Sequence, residues 1–235
     1  MAKKTFETTF GTRIQNAQVL INNLQGFAAY KFIRSEDSID ELKKLVNTIQ
    51  QSNNEEATAL QSYTLAVDAR QKIFDNETVN IKDLVTSIMA TLRAQYGKTS
   101  KEVTSLVELA NKTRGTTKRK IVEGDQLKKV SNSQQSYASI LQNFSDLVAS
   151  LEALNPPFNP SNPNITIIEL KKFVDIAREA SNVVSNTTIA LEKVRQNRNE
   201  LYKDLTMRTQ RVKEAVKGQY GTKSNEFMGV KSLKI

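Results

Sequence analysis

Two nearly identical nine-residue segments constrain this chain more than any other feature. Residues 38–46 read SIDELKKLV, and residues 166–174 read TIIELKKFV. Each segment begins with a hydroxyl residue that is followed three positions later by Glu, as Ser38 with Glu41 and Thr166 with Glu169. This spacing is typical of a capping box, in which the hydroxyl accepts from a backbone N–H of the first turn and the Glu carboxylate accepts from the N–H of the cap. The sequence therefore predicts that a helix starts at each copy.

The chain after the first copy has the apolar spacing of one long helix. No Gly or Pro occurs in residues 38–96, and apolar residues recur three or four positions apart through most of this stretch. Both features predict a single helix over residues 38–96, roughly 85–90 Å long at about 1.5 Å per residue. The alternative is a turn at the polar residues 50–56 or at residues 75–78.

The chain after the second copy carries two rows of heptad-spaced residues. No Gly or Pro occurs in residues 166–217, and the spacing predicts one unbroken, coiled-coil-like helix. Arg198 and Arg208 interrupt the predicted seam. The first row is Leu170, Ala177, Val184, Leu191, Leu205 and Val212, and its partner row is Phe173, Ala180, Thr187, Val194, Leu201 and Ala215.

Both long helices are predicted to end at the same motif. Residues 95–102 read QYGKTSKE, and residues 219–226 read QYGTKSNE. A glycine just past a helix adopts the left-handed C′ conformation without steric cost, and a serine three residues later is a favoured N-cap. We therefore expect a helix end and a new helix start at each repeat-end motif, formed by Tyr96, Gly97 and Ser100 and by Tyr220, Gly221 and Ser224.

Shorter helices are predicted before the two long ones. Apolar spacing predicts a helix over residues 13–33, with Gly26 inside it, and a second helix that starts near residue 125. The Pro/Asn-rich residues 156–164 end that second helix. Each half of the chain thus has the order short helix, turn, capping box, long helix and end motif. This order predicts a tandem duplication.

The predicted fold is all-α. A helical hairpin alone cannot cover its apolar stripe, so we expect the two repeats to pack together as one elongated bundle with a pseudo-two-fold axis. The predicted divisions are an N-terminal arm over residues 1–12, helical repeat 1 over 13–111, a basic linker over 112–124 and helical repeat 2 over 125–235.

Three segments of the second predicted repeat carry a resemblance to known sequences. Residues 170–174 (LKKFV), 194–202 (VRQNRNELY) and 216–227 (VKGQYGTKSNEF) are similar to a group of uncharacterised bacterial helical proteins whose repeats end in Tyr/Phe-Gly-x-x-Ser-x-Glu. The first predicted repeat shares the resemblance more loosely. The resemblance implies a helical fold and no activity.

Composition excludes most site chemistry. The chain has no Cys and no His, which removes triads based on those residues, disulfides and the usual zinc sites. The acidic residues 35–41 do not have the spacing of an EF-hand loop, and we interpret them as acids that complement a helix N-terminus rather than as a Mg²⁺ or Ca²⁺ site. We therefore expect no catalytic residue, no cofactor, no metal and no small-molecule substrate.

The net charge of +9 is compatible with anionic partners, although Lys and Arg are spread along the whole chain. Lys118, Arg119 and Lys120 are the candidate anion contacts. The preferred hypothesis is a non-catalytic structural protein that associates with copies of itself into an oligomer, filament, tube or particle component. The alternative is a basic adaptor that binds nucleic acid or an anionic surface. Because neither a signal peptide nor an apolar run of about 20 residues occurs, we expect a cytoplasmic protein with no membrane span.

Overall fold

The computed structural model describes residues 9–75, 80–115 and 136–235. All regular structure within these residues is helical, which confirms the all-α prediction. Two short 3-10 turns, Ser35–Asp37 and Pro163–Ile165, come just before two of the helices. The α-helices are α1 (Phe10–Gly26), α2 (Ile39–Asp75), α3 (Ile81–Tyr96), α4 (Lys101–Arg114), α5 (Tyr137–Glu152), α6 (Ile167–Tyr220) and α7 (Asn225–Lys231).

The helices form two compact units whose boundaries differ from the predicted repeats. Unit 1 consists of Met1–Gln61 and Ile189–Ile235, and unit 2 is Ser62–Thr188. Unit 1 therefore combines α1 and the first part of α2 with the last part of α6 and α7. Unit 2 contains the rest of α2, the helices α3 to α5 and the first part of α6. Each unit thus takes segments from both predicted repeats.

The core of unit 1 is formed by the apolar faces of four helices. The buried residues of α1 are spaced three or four apart, so they lie on one face of the helix. Val230 of α7 is fully buried, and Phe227 and Leu233 pack against the same core. The buried set is Ala17, Leu20, Ile21, Leu24, Leu42, Leu45, Val46, Ile49, Tyr202, Leu205, Val212, Val216 and Val230.

The core of unit 2 is larger and includes a loop residue. Phe158, from the Pro/Asn-rich loop between α5 and α6, is buried among the helices, and Phe144 contacts Phe173 edge to face. Arg70 lies over the ring of Tyr137 at 4.5 Å. The helical core residues come from the ends of the long helices and from α3 to α5, and they include Phe74, Ile88, Leu92, Leu106, Phe144, Leu147, Leu151 and Leu170.

The long helix α6 is continuous, as the heptad spacing predicts. The first predicted row is buried at Leu170, Ala177, Val184, Leu191, Leu205 and Val212. In the predicted partner row Ala215 is buried and the other five residues are half-buried, and Phe173 and Leu201 pack against the two cores. Residues one position later in the heptad are also buried at Val174, Tyr202, Thr209 and Val216. The buried stripe of α6 is therefore wider than two positions per heptad.

The prediction of one helix over residues 38–96 is wrong. α2 ends at Asp75, and Asn80, in an extended conformation, caps α3 by accepting a hydrogen bond from the Asp83 N–H at 2.9 Å. The side-chain oxygen of Asn thus starts a new helix near one of the two alternative break points. The intervening residues 76–79 lie outside the described part of the chain.

Two other predicted boundaries also differ. α1 starts at Phe10 and ends at Gly26, so three residues of the predicted arm are helical and residues 27–33 are not. α4 extends to Arg114, three residues into the predicted linker, and Gly115 caps it in the left-handed conformation with φ of 73°. The predicted helix start near residue 125 lies outside the described residues.

Candidate functional site

The repeat-end motif of α6 holds the loop after α1. The side-chain amide of Gln219 donates to the Lys31 carbonyl and accepts from the Lys31 N–H at 3.0 Å. The neighbouring Tyr220 hydroxyl accepts from the Ala29 N–H at 3.2 Å, and its ring packs against Phe27 at 5.7 Å. Gly221 follows with φ of 92°. These bonds hold the backbone of residues 29–31, within a loop that has no helix of its own.

The corresponding motif of α3 makes the same kinds of contact inside unit 2. The Gln95 amide donates to the Pro157 carbonyl at 2.7 Å and accepts from the Asn159 N–H at 3.0 Å. The Tyr96 hydroxyl donates to the Pro156 carbonyl at 2.5 Å, and burial raises the Tyr96 pKa. Gly97 has φ of 88°. In both units, a Gln-Tyr-Gly sequence therefore binds the loop that follows a short helix.

The hydroxyl residues predicted as caps accept hydrogen bonds at all four positions. Ser38 and Thr166 accept from the Glu41 and Glu169 N–H groups, at 3.3 and 3.4 Å. Ser100 and Ser224 accept from the Val103 and Phe227 N–H groups, at 3.2 and 3.0 Å.

The reciprocal half of the capping box is absent at Ser38, contrary to the sequence prediction. The Ser38 N–H donates to the Ser35 carbonyl, because the preceding 3-10 turn supplies a nearer acceptor. The carboxylates of Glu41 and Glu169 accept instead from Lys44 and Lys172, each at 2.6 Å.

The acidic residues before α2 are neutralised by arginines of α6. Asp37 is buried and accepts two hydrogen bonds from Arg211, which also contacts the Glu36 carboxylate at 2.9 Å. Arg208 donates to the Glu36 carbonyl at 2.8 Å. The hydrogen bond to Asp37 is the main cause that raises the Arg211 pKa above its ordinary value. Sequence spacing cannot reveal this pairing, because the partners are 174 residues apart.

An apolar groove of about 380 Å³ lies beside this ion pair in unit 1. Its lining includes Tyr30 and Ile33 from the loop after α1, together with Ala215 and Gly218 of α6. The Tyr30 hydroxyl is buried and has no hydrogen-bond partner among the described residues. Burial, and secondarily the Asp37 carboxylate, raises the Tyr30 pKa to about 12.

The loops bound by the two repeat-end motifs differ in the exposure of one aromatic side chain. Gln219 is bonded to Lys31, and the next residue in the chain is Phe32. Gln95 is bonded to Pro157, and the next residue in the chain is Phe158. Phe158 is 8% exposed and belongs to the core of unit 2. Phe32 is 53% exposed, and its neighbour Ile33 is 80% exposed. The aromatic side chain at this position is therefore exposed in unit 1 and buried in unit 2.

A polar layer joins α2 to α6 in unit 1. The Glu56 carboxylate accepts from Arg195 at 2.9 Å and from Arg198, and the side chains of Glu56 and Arg198 are only 16% and 14% exposed. One turn further along α6, the buried Tyr202 hydroxyl accepts from Asn53 at 3.1 Å and donates to the Phe10 carbonyl at 3.2 Å. Buried polar layers of this kind fix the register of paired helices.

The three basic residues predicted as anion contacts, Lys118, Arg119 and Lys120, lie outside the described residues. The two basic residues just before them belong to α4. Lys112 is paired with Glu108 at 2.9 Å, and burial lowers the pKa of Arg114.

Neither metal binding nor membrane spanning is indicated by the described residues. Within residues 9–75, 80–115 and 136–235, acidic side chains form no group of three or more that could hold a metal ion. No helix in the same ranges is both long enough and apolar enough to cross a bilayer. Comparison of the chain with protein-family models, with curated proteins and with solved structures found no match.

Proposed function

We propose that this chain is a non-catalytic structural protein that associates with copies of itself through the apolar groove of unit 1. The observation that carries the proposal is the exposure of Ile33 in the groove lining and of Phe32, the residue before it in the chain. The proposal that the chain is not an enzyme rests on its sequence, which lacks the His and Cys residues of common catalytic arrangements. Larger assemblies, such as a filament, a tube or a particle, would use this contact together with others.

The exposed side chains provide a driving force for association. Full burial of an exposed Ile or Phe side chain contributes about 1.5–3 kcal/mol, and Phe32 and Ile33 are 53% and 80% exposed. An isologous contact that covers both residues of both copies therefore contributes about 4–8 kcal/mol. Association itself costs about 4–15 kcal/mol in lost translational and rotational freedom. The two side chains therefore favour pairing but require the surrounding groove for a stable complex.

The groove also carries both signs of charge. Arg34 and Glu214 line it, and both side chains are mostly exposed, at 60% and 71%. A surface with both signs can be complementary to itself when two copies meet across a two-fold axis. A second copy is therefore a better match for this surface than a partner of uniform charge.

The repeated contacts of the end motifs support a duplicated origin. In each unit a Gln amide makes two bonds to a loop backbone, a Tyr hydroxyl makes a third, and a glycine with positive φ follows.

The test is the molar mass of the purified chain, measured by light scattering over a range of concentrations. We expect an oligomer for the wild type and a shift toward monomer for Ile33→Ser. Ile168→Ser is the matched control, because Ile168 is also highly exposed, at 68%, but belongs to unit 2. A wild-type chain that stays monomeric at high concentration contradicts self-association, and equal effects of the two substitutions contradict the assigned surface.

A further inference from the structure

A second cavity in unit 1 has the opposite chemical character to the apolar groove. It measures about 520 Å³, within the range of about 300–1,000 Å³ that is typical of ligand pockets. Four of its nine described lining residues have a cationic side chain, and none has an acidic side chain. The lining residues are Arg13, Thr206, Thr209, Gln210, Lys213, Lys231, Leu233, Lys234 and Ile235.

Arg13 is held in place by contacts that leave donors available. Its Nη2 donates to the Tyr202 carbonyl at 3.0 Å and to the Thr206 hydroxyl at 2.6 Å, and its guanidinium lies 4.8 Å from the centre of the Tyr202 ring. An arginine has five N–H donors, and those on Nε and Nη1 are not used by these bonds. The guanidinium is thus oriented before any ligand arrives.

Lys213 is a partly buried cation of the cavity, as is Arg13. Its Nζ donates to the Leu233 carbonyl, and burial lowers its pKa. No carboxylate is bonded to Lys213 among the described residues. Burial of a charge without an opposite charge nearby costs free energy. An anion bound in the cavity would offset this cost for Lys213.

Lys231 and Lys234 complete the cation cluster from the chain that follows the core residue Val230. Both residues are exposed. The backbone of this segment is tied to the rest of unit 1, because the Lys234 carbonyl accepts from the Asn16 amide at 2.7 Å and the Ile235 oxygen accepts from the Thr206 hydroxyl at 3.4 Å. The backbone positions of both lysines are therefore set by the fold, while their long side chains can adjust to a ligand.

We propose that this cavity binds a phosphate group, either in a free phosphate compound or as the headgroup of a lipid, through Arg13, Lys213, Lys231 and Lys234. Phosphate fits because it offers several acceptor oxygens to donors from three helices, α1, α6 and α7, and from Lys234 just after α7. Charge-assisted hydrogen bonds of this kind are short and strong. A singly charged carboxylate would use fewer of these donors. The proposal is separate from self-association, since the groove and the cavity have no lining residue in common.

The first measurement is titration calorimetry of the full chain with inorganic pyrophosphate at low ionic strength. We expect saturable binding with one site per chain. The variant Lys231→Gln/Lys234→Gln should bind at least about tenfold more weakly, since one charge-assisted bond contributes about 1.5–3 kcal/mol and 1.4 kcal/mol is a factor of ten. The matched control Lys44→Gln/Lys172→Gln removes two exposed lysines elsewhere and should bind within about twofold of wild type.

The second measurement separates the two sources of phosphate. Vesicles of phosphatidic acid, with phosphatidylcholine vesicles as reference, are tested for co-sedimentation with the chain in the presence and absence of pyrophosphate. Binding that pyrophosphate displaces identifies a lipid headgroup, and absence of vesicle binding beside calorimetric binding identifies a free phosphate compound. Absence of calorimetric binding, or equal weakening in the two double variants, overturns the proposal.

Discussion

Arg211 donates two parallel hydrogen bonds to the Asp37 carboxylate, from Nε at 2.8 Å and from Nη2 at 2.7 Å. The Asp37 side chain is 6% exposed and that of Arg211 is 33% exposed. The pair joins the turn before α2 to the last part of α6, so it closes unit 1 between segments that are far apart in sequence. It also forms one side of the groove proposed for self-association.

Asp37→Asn should destabilise the chain. Removal of one partner from a buried ion pair typically costs about 3–5 kcal/mol, and the partial exposure of Arg211 reduces our expectation to about 2 kcal/mol. The free energy of unfolding from urea denaturation measures the effect. Glu41→Gln breaks an exposed pair with Lys44 and is the control, for which we expect no measurable change. Equal unfolding midpoints for both variants would contradict the assigned role of the Asp37 pair.

Alanine substitutions at two neighbouring glycines should have opposite effects. Gly221 has φ of 92°, which L-residues rarely adopt, so Gly221→Ala should cost about 1–3 kcal/mol. Gly218 lies inside α6 and an added Cβ would meet no atom within 4 Å. Gly218→Ala should therefore stabilise by up to about 1 kcal/mol, the difference in helix propensity. Thermal unfolding followed by circular dichroism measures both, and effects of the same sign would contradict the backbone assignment.

Within the polar layer, Glu56 and Arg198 should tolerate replacement only when both are changed together. Glu56→Gln leaves the mostly buried Arg198 without a carboxylate and should destabilise unit 1 by about 2–4 kcal/mol. Glu56→Leu/Arg198→Leu removes both charges and should recover most of that loss, because apolar residues often replace buried ion pairs at no net cost. Urea unfolding measures both variants. A double variant that is less stable than Glu56→Gln would show that the layer stabilises rather than specifies the helix pairing.

Stability should fall between pH 10 and pH 12 through Tyr30. In the folded chain the pKa of Tyr30 is about 12, whereas an unfolded tyrosine titrates near 10. Between these values the folded chain keeps a proton that the unfolded chain releases, so rising pH favours unfolding. A tyrosinate absorbance titration should show late titration among the six tyrosines, and Tyr30→Phe should reduce its amplitude by one tyrosine, because the pKa of Tyr96 is also raised. An unchanged late amplitude in Tyr30→Phe would contradict the raised pKa of Tyr30.

The starts and ends of several helices follow from short-range chemistry, and these were predictable. Ser38 and Thr166 cap α2 and α6 by accepting hydrogen bonds from backbone groups three residues later. Gly97 and Gly221 have the positive φ expected just after a helix. Such interactions need only a few neighbouring residues, so the sequence pattern contains them completely.

Other helix boundaries depend on which of several short-range signals prevails. The polar residues at 75–78 and those at 50–56 are both plausible breaks by spacing, yet α2 runs through the second stretch and α3 starts at Ile81. At residues 50–56, Ser52 is buried and Glu56 pairs with Arg195 and Arg198 of α6. Long-range contacts thus keep a polar stretch helical that its own propensity would leave undecided.

An all-helical fold with two related capping segments and two related Gln-Tyr-Gly ends follows from the sequence, because helix periodicity and caps act over three to seven residues. The partners of those elements are known from the folded structure alone: Arg211 for Asp37, Lys31 for Gln219, and the cations that share the polar cavity. Partners that are about 170 to 220 residues apart leave no spacing rule in the sequence. These residues come into contact because particular apolar helix faces pack together, and this packing depends on the whole fold.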